Sequence, residues 1–271
     1  MSRQRQREIV PRRRWLFPMG VEREYVRFAK RLAAAIRESV KEELPRLRDI
    51  QKIKQDGARE DIYMLMQSIR SRFKPKVEQL RVDAELRRIA KLASDFNLRQ
   101  FREVLRSAMK VDIFVHEPWL VDMLNVWAAE NARLSEDVPE KIFGEIEGIA
   151  ARGVMEGASA ADLADDILER VDIGERRAKL IARDQVGSLN GDLTRYRQEQ
   201  VGIESYVWST SRDSRVRPAH IPRNGKRYKW SEPPFDGHPG KPRLCRCVAL
   251  PVIDLDRIQY VGMPMPGRSK P

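Results

Sequence analysis

Cysteine and histidine are scarce in this sequence, which has two cysteines and three histidines in 271 residues. It also has no apolar run approaching the ~20 residues that a membrane-spanning helix needs. No apolar segment of signal-peptide length follows the charged N-terminus. These absences argue against a disulfide-rich secreted scaffold and against an integral membrane protein. We therefore expect a protein that is soluble and not secreted through a cleaved signal.

The two cysteines, Cys245 and Cys247, are separated by a single residue. A disulfide between positions this close would be strained and would tie down little of the chain. A reducing cytoplasm or a bound metal suits this pair better than a structural disulfide.

Charge is distributed unevenly along the chain, whose formal net charge is +12. Residues 1–110 carry 29 Lys and Arg against 15 Asp and Glu, residues 111–200 carry 10 against 19, and residues 201–271 carry 13 against 6. Basic surfaces attract polyanions because neutralised phosphates release their condensed counterions. The ends of the chain are thus candidates for contact with nucleic acid, and the acidic middle is more suited to a protein partner.

Apolar residues recur at helical spacing as far as about residue 200, and ten of the sixteen prolines lie after Gly202. We expect Pro139 to begin a new helix and Gly174 to separate two others. Beyond Gly202, short strands are predicted near residues 203–209, 227–230 and 247–253. The predicted fold class is α+β, a mainly helical chain followed by a small loop-rich module. Five regions result: a flexible basic arm (1–20), a basic helical region (21–110), an acidic helical region (111–201), a Cys/His-containing β-module (202–254) and an extended tail (255–271).

Two histidines and both cysteines fall within 28 residues of the β-module. Thiolate and imidazole are the ligands that zinc prefers, which makes a Cys2His2 zinc site of His220, His238, Cys245 and Cys247 chemically sensible. Their spacing is not that of a common zinc motif, and the alternative is a core cysteine with a hydrogen-bonded loop histidine. Cys245, His220 and Asp213 also supply the residue types of a thiol hydrolase, but no protease signature surrounds them.

Other charged residues have structural or binding interpretations. Asp213, Arg215 and Arg217 are predicted to pair within the loop-rich module, and Arg183 with Asp184 to dock the preceding helix against it. The arginines of the basic arm, by contrast, have no interleaved aromatic residues for base stacking. They are predicted to contact DNA non-specifically or an acidic protein partner, and they are Arg3, Arg5, Arg7, Arg12, Arg13 and Arg14.

A set of motifs spread over about residues 110–252 resembles a known family. The residues that carry the resemblance are Arg177, Ile181, Arg183, Asp184, Gln185, Asn190, Arg197, Gly202, Tyr206, Trp208, the run from Asp213 to His220, Gly225, Cys245 and Cys247. In this order they are similar to the phage Mu F-like family of minor head proteins, a head-morphogenesis family. Relatives often have Cys-x-x-Cys where this chain has Arg217 to His220, so Arg217 replaces one candidate ligand.

The resemblance implies a structural protein of a tailed-phage head rather than an enzyme. It implies few copies near the portal or inner shell, with roles in assembly and in packaging, retention or ejection of DNA. Portal or major capsid protein and packaged double-stranded DNA are the implied partners, and the virion head and the host cytoplasm the implied locations. We expect no appended enzymatic domain. The alternative hypothesis is a non-specific nucleic-acid-binding protein whose C-terminal module is stabilised by zinc.

Overall fold

The computed structural model of the protein describes residues 8–50, 58–110 and 116–258. Helices make up 69% of the structure and precede three of the four strands of a small antiparallel sheet, which confirms the α+β class. The helices are α1 (Met19–Glu43), α2 (Leu47–Ile50), α3 (Ala58–Gln79), α4 (Val82–Met109), α5 (Leu120–Glu156) and α6 (Ala160–Gln200). The strands are β1 (Glu8–Ile9), β2 (Ser205–Ser209), β3 (Arg227–Lys229) and β4 (Val248–Asp254). Over the described ranges, the helices are too polar along any membrane-length stretch to serve as bilayer spans.

Two helix boundaries predicted from the sequence are wrong, because Pro139 lies inside α5 and Gly174 lies inside α6. A proline removes one backbone hydrogen bond from a helix, but the residues that follow Pro139 belong to a hydrophobic core. At Gly174 a β-carbon would lie only 2.4 Å from Cδ1 of Ile142, so glycine permits close packing there. Tertiary packing therefore outweighs the local tendency of both residues to end a helix.

The chain divides into two compact units. A helical unit comprises residues 22–89 and 125–183, and a mixed unit comprises residues 1–21, 90–124 and 184–271. The helical unit is built around residues such as Leu65, Phe143 and Ile167, all 1% exposed or less. Each unit draws on at least two of the five regions predicted from the sequence, and that division into regions stays a prediction.

The mixed unit contains the sheet, with strand order β1-β4-β2-β3 and antiparallel pairing throughout. Tyr206 lies opposite Pro251, and Ser209 opposite Val248. The three predicted strands are confirmed to within two residues at each end. On the sheet, Tyr206, Trp208 and Trp230 form an aromatic cluster together with Cys245 and Cys247. The two cysteines thus lie in an apolar cluster beside the β2–β4 pair.

Candidate metal centre

Three soft donor side chains meet at one end of the β2–β4 pair. His220 lies in the 3-10 segment Pro218–Arg223, Cys247 immediately precedes β4, and Cys245 comes two residues earlier. They are 1%, 5% and 6% exposed, respectively. Their ligand atoms all lie within 4.8 Å of one another, so the cluster could hold a metal ion. Sequence reasoning named these three residues, and the structure brings them together.

The spacing of the donor atoms fits zinc. Nδ1 of His220 lies 3.8 Å from Sγ of Cys245 and 3.5 Å from Sγ of Cys247. Two ligands of a tetrahedral zinc ion, one sulfur and one nitrogen at ordinary bond lengths, are about 3.6 Å apart. Both nitrogen–sulfur distances are therefore within a few tenths of an ångström of the spacing in a zinc site.

A carboxylate on the other side of the imidazole ring fixes the orientation of His220. Nε2 of His220 lies 3.0 Å from Oδ2 of Asp236, and Arg223 holds the second oxygen of that carboxylate at 2.5 Å. A proton on Nε2 leaves the Nδ1 lone pair facing the two sulfurs, the arrangement found behind many metal-binding histidines. Sequence reasoning missed Asp236 and considered Asp213 instead. The sequence offered one signal for this contact: Glu232 and Asp236 are the only carboxylates between His220 and Cys245.

The two thiols share a hydrogen bond and have unequal acidity. The pKa of Cys245 is lowered, chiefly because the Cys247 thiol donates to it, with help from the backbone N–H groups of Gly240 and Cys247. The same hydrogen bond, together with burial, raises the pKa of Cys247. One thiolate is thus already favoured, whereas a metal that binds both sulfurs must displace the remaining proton.

His238, the fourth ligand predicted from the sequence, is not brought to the other three. Its Nε2 lies 3.1 Å from the carbonyl oxygen of Trp230, and its Nδ1 lies 2.9 Å from the hydroxyl of Tyr206. A carbonyl can only accept, so Nε2 carries the proton and Nδ1 accepts from the tyrosine. Burial lowers the pKa of His238, which favours this neutral form with both ring nitrogens hydrogen-bonded.

The predicted ion-pair residues have separate partners. Within the module, Arg215 binds Asp213 at 2.7 Å, whereas Arg217 donates to the carbonyl of Arg243. Within the helical unit, Arg183 pairs with Glu22 at 2.8 Å. Within the mixed unit, Asp184 accepts from the backbone N–H of Leu244 at 2.5 Å, one residue before Cys245. Asp184 therefore connects α6 to the loop that carries the cysteines.

The arginines of the predicted basic arm are only partly described, because Arg3, Arg5 and Arg7 lie outside the described residues. Arg13 pairs with Glu103 of α4 at 2.5 Å. Arg12 and Arg14 are exposed and line a groove of the mixed unit. Alternate arginines of this short run thus have different surroundings.

The segment that contains the metal ligands matches a family of phage proteins. Residues 144–250 fit the family model described as Phage Mu protein F like protein. We call residues 144–250, which are similar to that family, the Mu F-like segment. The chain is also 36% identical over 140 residues to an uncharacterized protein of Haemophilus influenzae. That match covers 51% of this chain but 31% of the relative, so the chain spans about a third of that protein's length. No solved structure matches.

The Mu F-like segment also includes a buried arginine, Arg197, at the C-terminal end of α6. Arg197 is fully buried, and its guanidinium donates to Glu117, to Asn97, and to both the carbonyl and the hydroxyl of Ser94. All five of its N–H donors thereby find acceptors. Asn97 in turn donates to Asn190 and Thr194 of α6. We call Arg197 and these five partners the Arg197 network, which joins α4, α6 and the residue Glu117.

Proposed function

We propose that this chain is a minor head protein of a tailed bacteriophage, acting in head morphogenesis at the portal or the inner shell. The observation that carries the proposal is the match of residues 144–250 to the Mu F-like family. The buried donor cluster and the Arg197 network support a structural role, because the first brings the 3-10 segment to the start of β4 and the second joins α4 to α6. The metal-ligand donors are nearly inaccessible to solvent, so a substrate would have little access to an ion bound there.

Zinc is the metal that we propose for the centre. Two thiolates and an imidazole suit zinc better than they suit magnesium or calcium, which prefer oxygen ligands. His220, Cys245 and Cys247 would hold the ion, and Asp236 would orient His220 from behind. Bound there, zinc would supply a cross-link between the 3-10 segment and the start of β4.

The proposal predicts that the chain is a component of phage particles. We expect quantitative mass spectrometry to find it in purified virions and in empty proheads, in far fewer copies than the major capsid protein. Cross-linking in proheads should join it to the portal or to the major capsid protein. An abundant host protein, followed through the same gradients, controls for carry-over. Absence of the chain from both kinds of particle would refute the proposal.

Duplex DNA is the second partner that we propose, at a cationic face of α4. Arg99, Arg102 and Arg106 follow one another at helical spacing on α4, Lys110 directly follows its last residue, and all four are exposed. Arg99, Arg102 and Lys110 form no ion pair with any other residue in the described ranges. At ~1.5 Å of rise per residue the row is about 16 Å long, enough to follow several backbone phosphates.

Neutralising this face should change the salt dependence of DNA binding. For Arg99→Gln, Arg102→Gln and Lys110→Gln combined, we expect the slope of log affinity against log salt to become less negative by about 2 to 3. Fluorescence anisotropy with a labelled duplex measures it. The matched control neutralises three ion-paired cations, Arg88, Lys91 and Arg195, and removes the same net charge.

The two outcomes of that titration separate the hypotheses. Equal slopes of log affinity against log salt for the two triple variants would refute the DNA contact at this face of α4. Tight, salt-resistant DNA binding by a chain that is absent from particles would instead favour the nucleic-acid-binding alternative.

A further inference from the structure

A groove of the mixed unit has a volume of about 620 Å³, and none of the three metal-ligand residues lines it. Arg12 and Arg14 come from the segment before α1, Arg212 from the loop after β2, and Val248 and Leu250 from β4. This volume falls within the range of built ligand sites, about 300 to 1,000 Å³. We call it the Arg12 groove.

The rim of the Arg12 groove carries uncompensated positive charge. Asp213 is the only acidic residue among those that line it, and its carboxylate is already bound by Arg215 at 2.7 Å. Arg12, Arg14 and Arg212 form no ion pair with other residues of the described ranges. The rim therefore has several guanidinium groups available to carboxylates from outside the chain.

Trp15, which also lines the groove, has an unmet hydrogen-bonding requirement. Trp15 is 3% exposed, and its indole Nε1 is buried without a hydrogen-bond partner in the described structure. Buried polar atoms are nearly always hydrogen-bonded, so an orphaned donor at a groove points to an acceptor supplied by a ligand. A peptide carbonyl or carboxylate would be such an acceptor.

We propose that the Arg12 groove binds a short acidic peptide segment of a partner protein, one with carboxylates on both sides of an apolar side chain. The carboxylates would pair with Arg12, Arg14 and Arg212, and the apolar side chain would lie against Val248 and Leu250. A nucleic acid strand fits less well, because base stacking needs exposed aromatic faces. Trp15 is buried, and the guanidinium of Arg246 lies 5.8 Å above the Phe17 ring.

This inference rests on the proposed function only for the source of the peptide, which would be another protein of the phage head. Binding itself can be measured with the purified full-length chain. Absence of the chain from particles would refute the proposed function and leave a positive peptide titration standing. A failed titration would refute the groove inference. The proposed function would still stand if the chain is found in particles.

The test uses a fluorescein-labelled peptide, Asp-Glu-Leu-Phe-Asp-Glu, in fluorescence anisotropy titrations. We expect saturable binding that Arg12→Gln and Arg14→Gln each weaken about threefold to tenfold, the loss of one charge-assisted contact. Arg13→Gln is the matched control, since Arg13 pairs with Glu103 and does not line the groove. We expect it to change the affinity less than about twofold, in line with an exposed ion pair.

Three further results decide the proposal. The peptide Asn-Gln-Leu-Phe-Asn-Gln should bind at least about tenfold more weakly, because it lacks the carboxylates. Equal losses for Arg12→Gln and Arg13→Gln would overturn the inference, as would undiminished binding of the neutral peptide. Tighter, Arg12-dependent binding of an oligothymidine strand would also overturn it and identify the groove as a nucleic-acid site. Circular dichroism of each variant verifies that the fold is intact.

Discussion

Stripping zinc from the purified chain is expected to lower its unfolding temperature by about 10 °C. A ligand present at 100 to 1,000 times its dissociation constant stabilises the native state by roughly 3 to 4 kcal/mol. In a protein of this size, each kcal/mol corresponds to about 2 to 4 °C. Elemental analysis of protein prepared without chelators should find close to one zinc per chain, and differential scanning calorimetry before and after chelation measures the shift.

Single variants can assign the zinc to its ligands. Cys245→Ser and Cys247→Ser should each lose the bound metal, because a serine hydroxyl is a poor zinc ligand beside a thiolate. Asp236→Asn should retain the site but weaken zinc binding about 10-fold to 100-fold, the usual cost of altering a partner behind a ligating histidine. Competition with a chelator of known affinity measures that change.

His238→Gln is a control, because the sequence predicted His238 as a fourth ligand and the structure places it away from the other three. The glutamine side chain can still make both hydrogen bonds of His238, because it can donate to the carbonyl of Trp230 and accept from Tyr206. We expect full zinc content in this variant. Loss of zinc in His238→Gln together with retention in Cys245→Ser would contradict the centre described above. A wild-type zinc content near zero would refute the metal proposal as a whole.

The chemistry of the centre was predictable because it depends on rare residue types. Candidate metal ligands are visible in a sequence when cysteine and histidine are few, and His220, Cys245 and Cys247 fall within one short module. Asp236 was missed because its place between His220 and Cys245, shared with Glu232, does not identify it as the partner of His220; that contact forms only when two loops meet in space. The hydrogen bonds of His238 were unpredictable for the same reason.

The fold shows a similar division between local and non-local information. The strands near residues 203–209, 227–230 and 247–253 follow from alternation and turn signals, and the structure has them. The continuity of α5 and α6 depends on contacts between helices, such as Ile142 against Gly174, and no local pattern encodes it. The sequence also contains Asn190 and Arg197 in the motifs of the family, without indicating that both belong to one buried polar network.

Replacing Arg197 should have the largest effect of any substitution in the Arg197 network. We expect Arg197→Met to lower the free energy of unfolding by about 3 to 5 kcal/mol, the usual cost of removing one partner from a buried ion pair. The loss arises because Glu117, Asn97 and Ser94 would keep buried acceptors without their donor. Equilibrium unfolding in urea measures the change.

Arg195→Met is the matched control for this prediction, since Arg195 lies on the same helix turn and pairs with Glu199 at the surface. An exposed pair contributes between 0 and about 1 kcal/mol, so the two variants should differ several-fold in their effect. Arg197→Lys should fall between wild type and Arg197→Met, because an ammonium group keeps the charge but cannot donate in the fork geometry of arginine. Equal losses for Arg195→Met and Arg197→Met would show that the network adds nothing beyond an ordinary ion pair.

A double-mutant cycle distinguishes a stabilising network from one that mainly fixes the position of α6. If Glu117→Gln is combined with Arg197→Met, the second change should cost clearly less than it does alone, because the most expensive unpaired group, the Glu117 carboxylate, is then absent. A double variant that remains stable while its incorporation into particles falls would mean that the network sets the geometry of the Mu F-like segment. If the double variant regains both its free energy of unfolding and its incorporation into particles, relative to Arg197→Met, the network contributes only to stability.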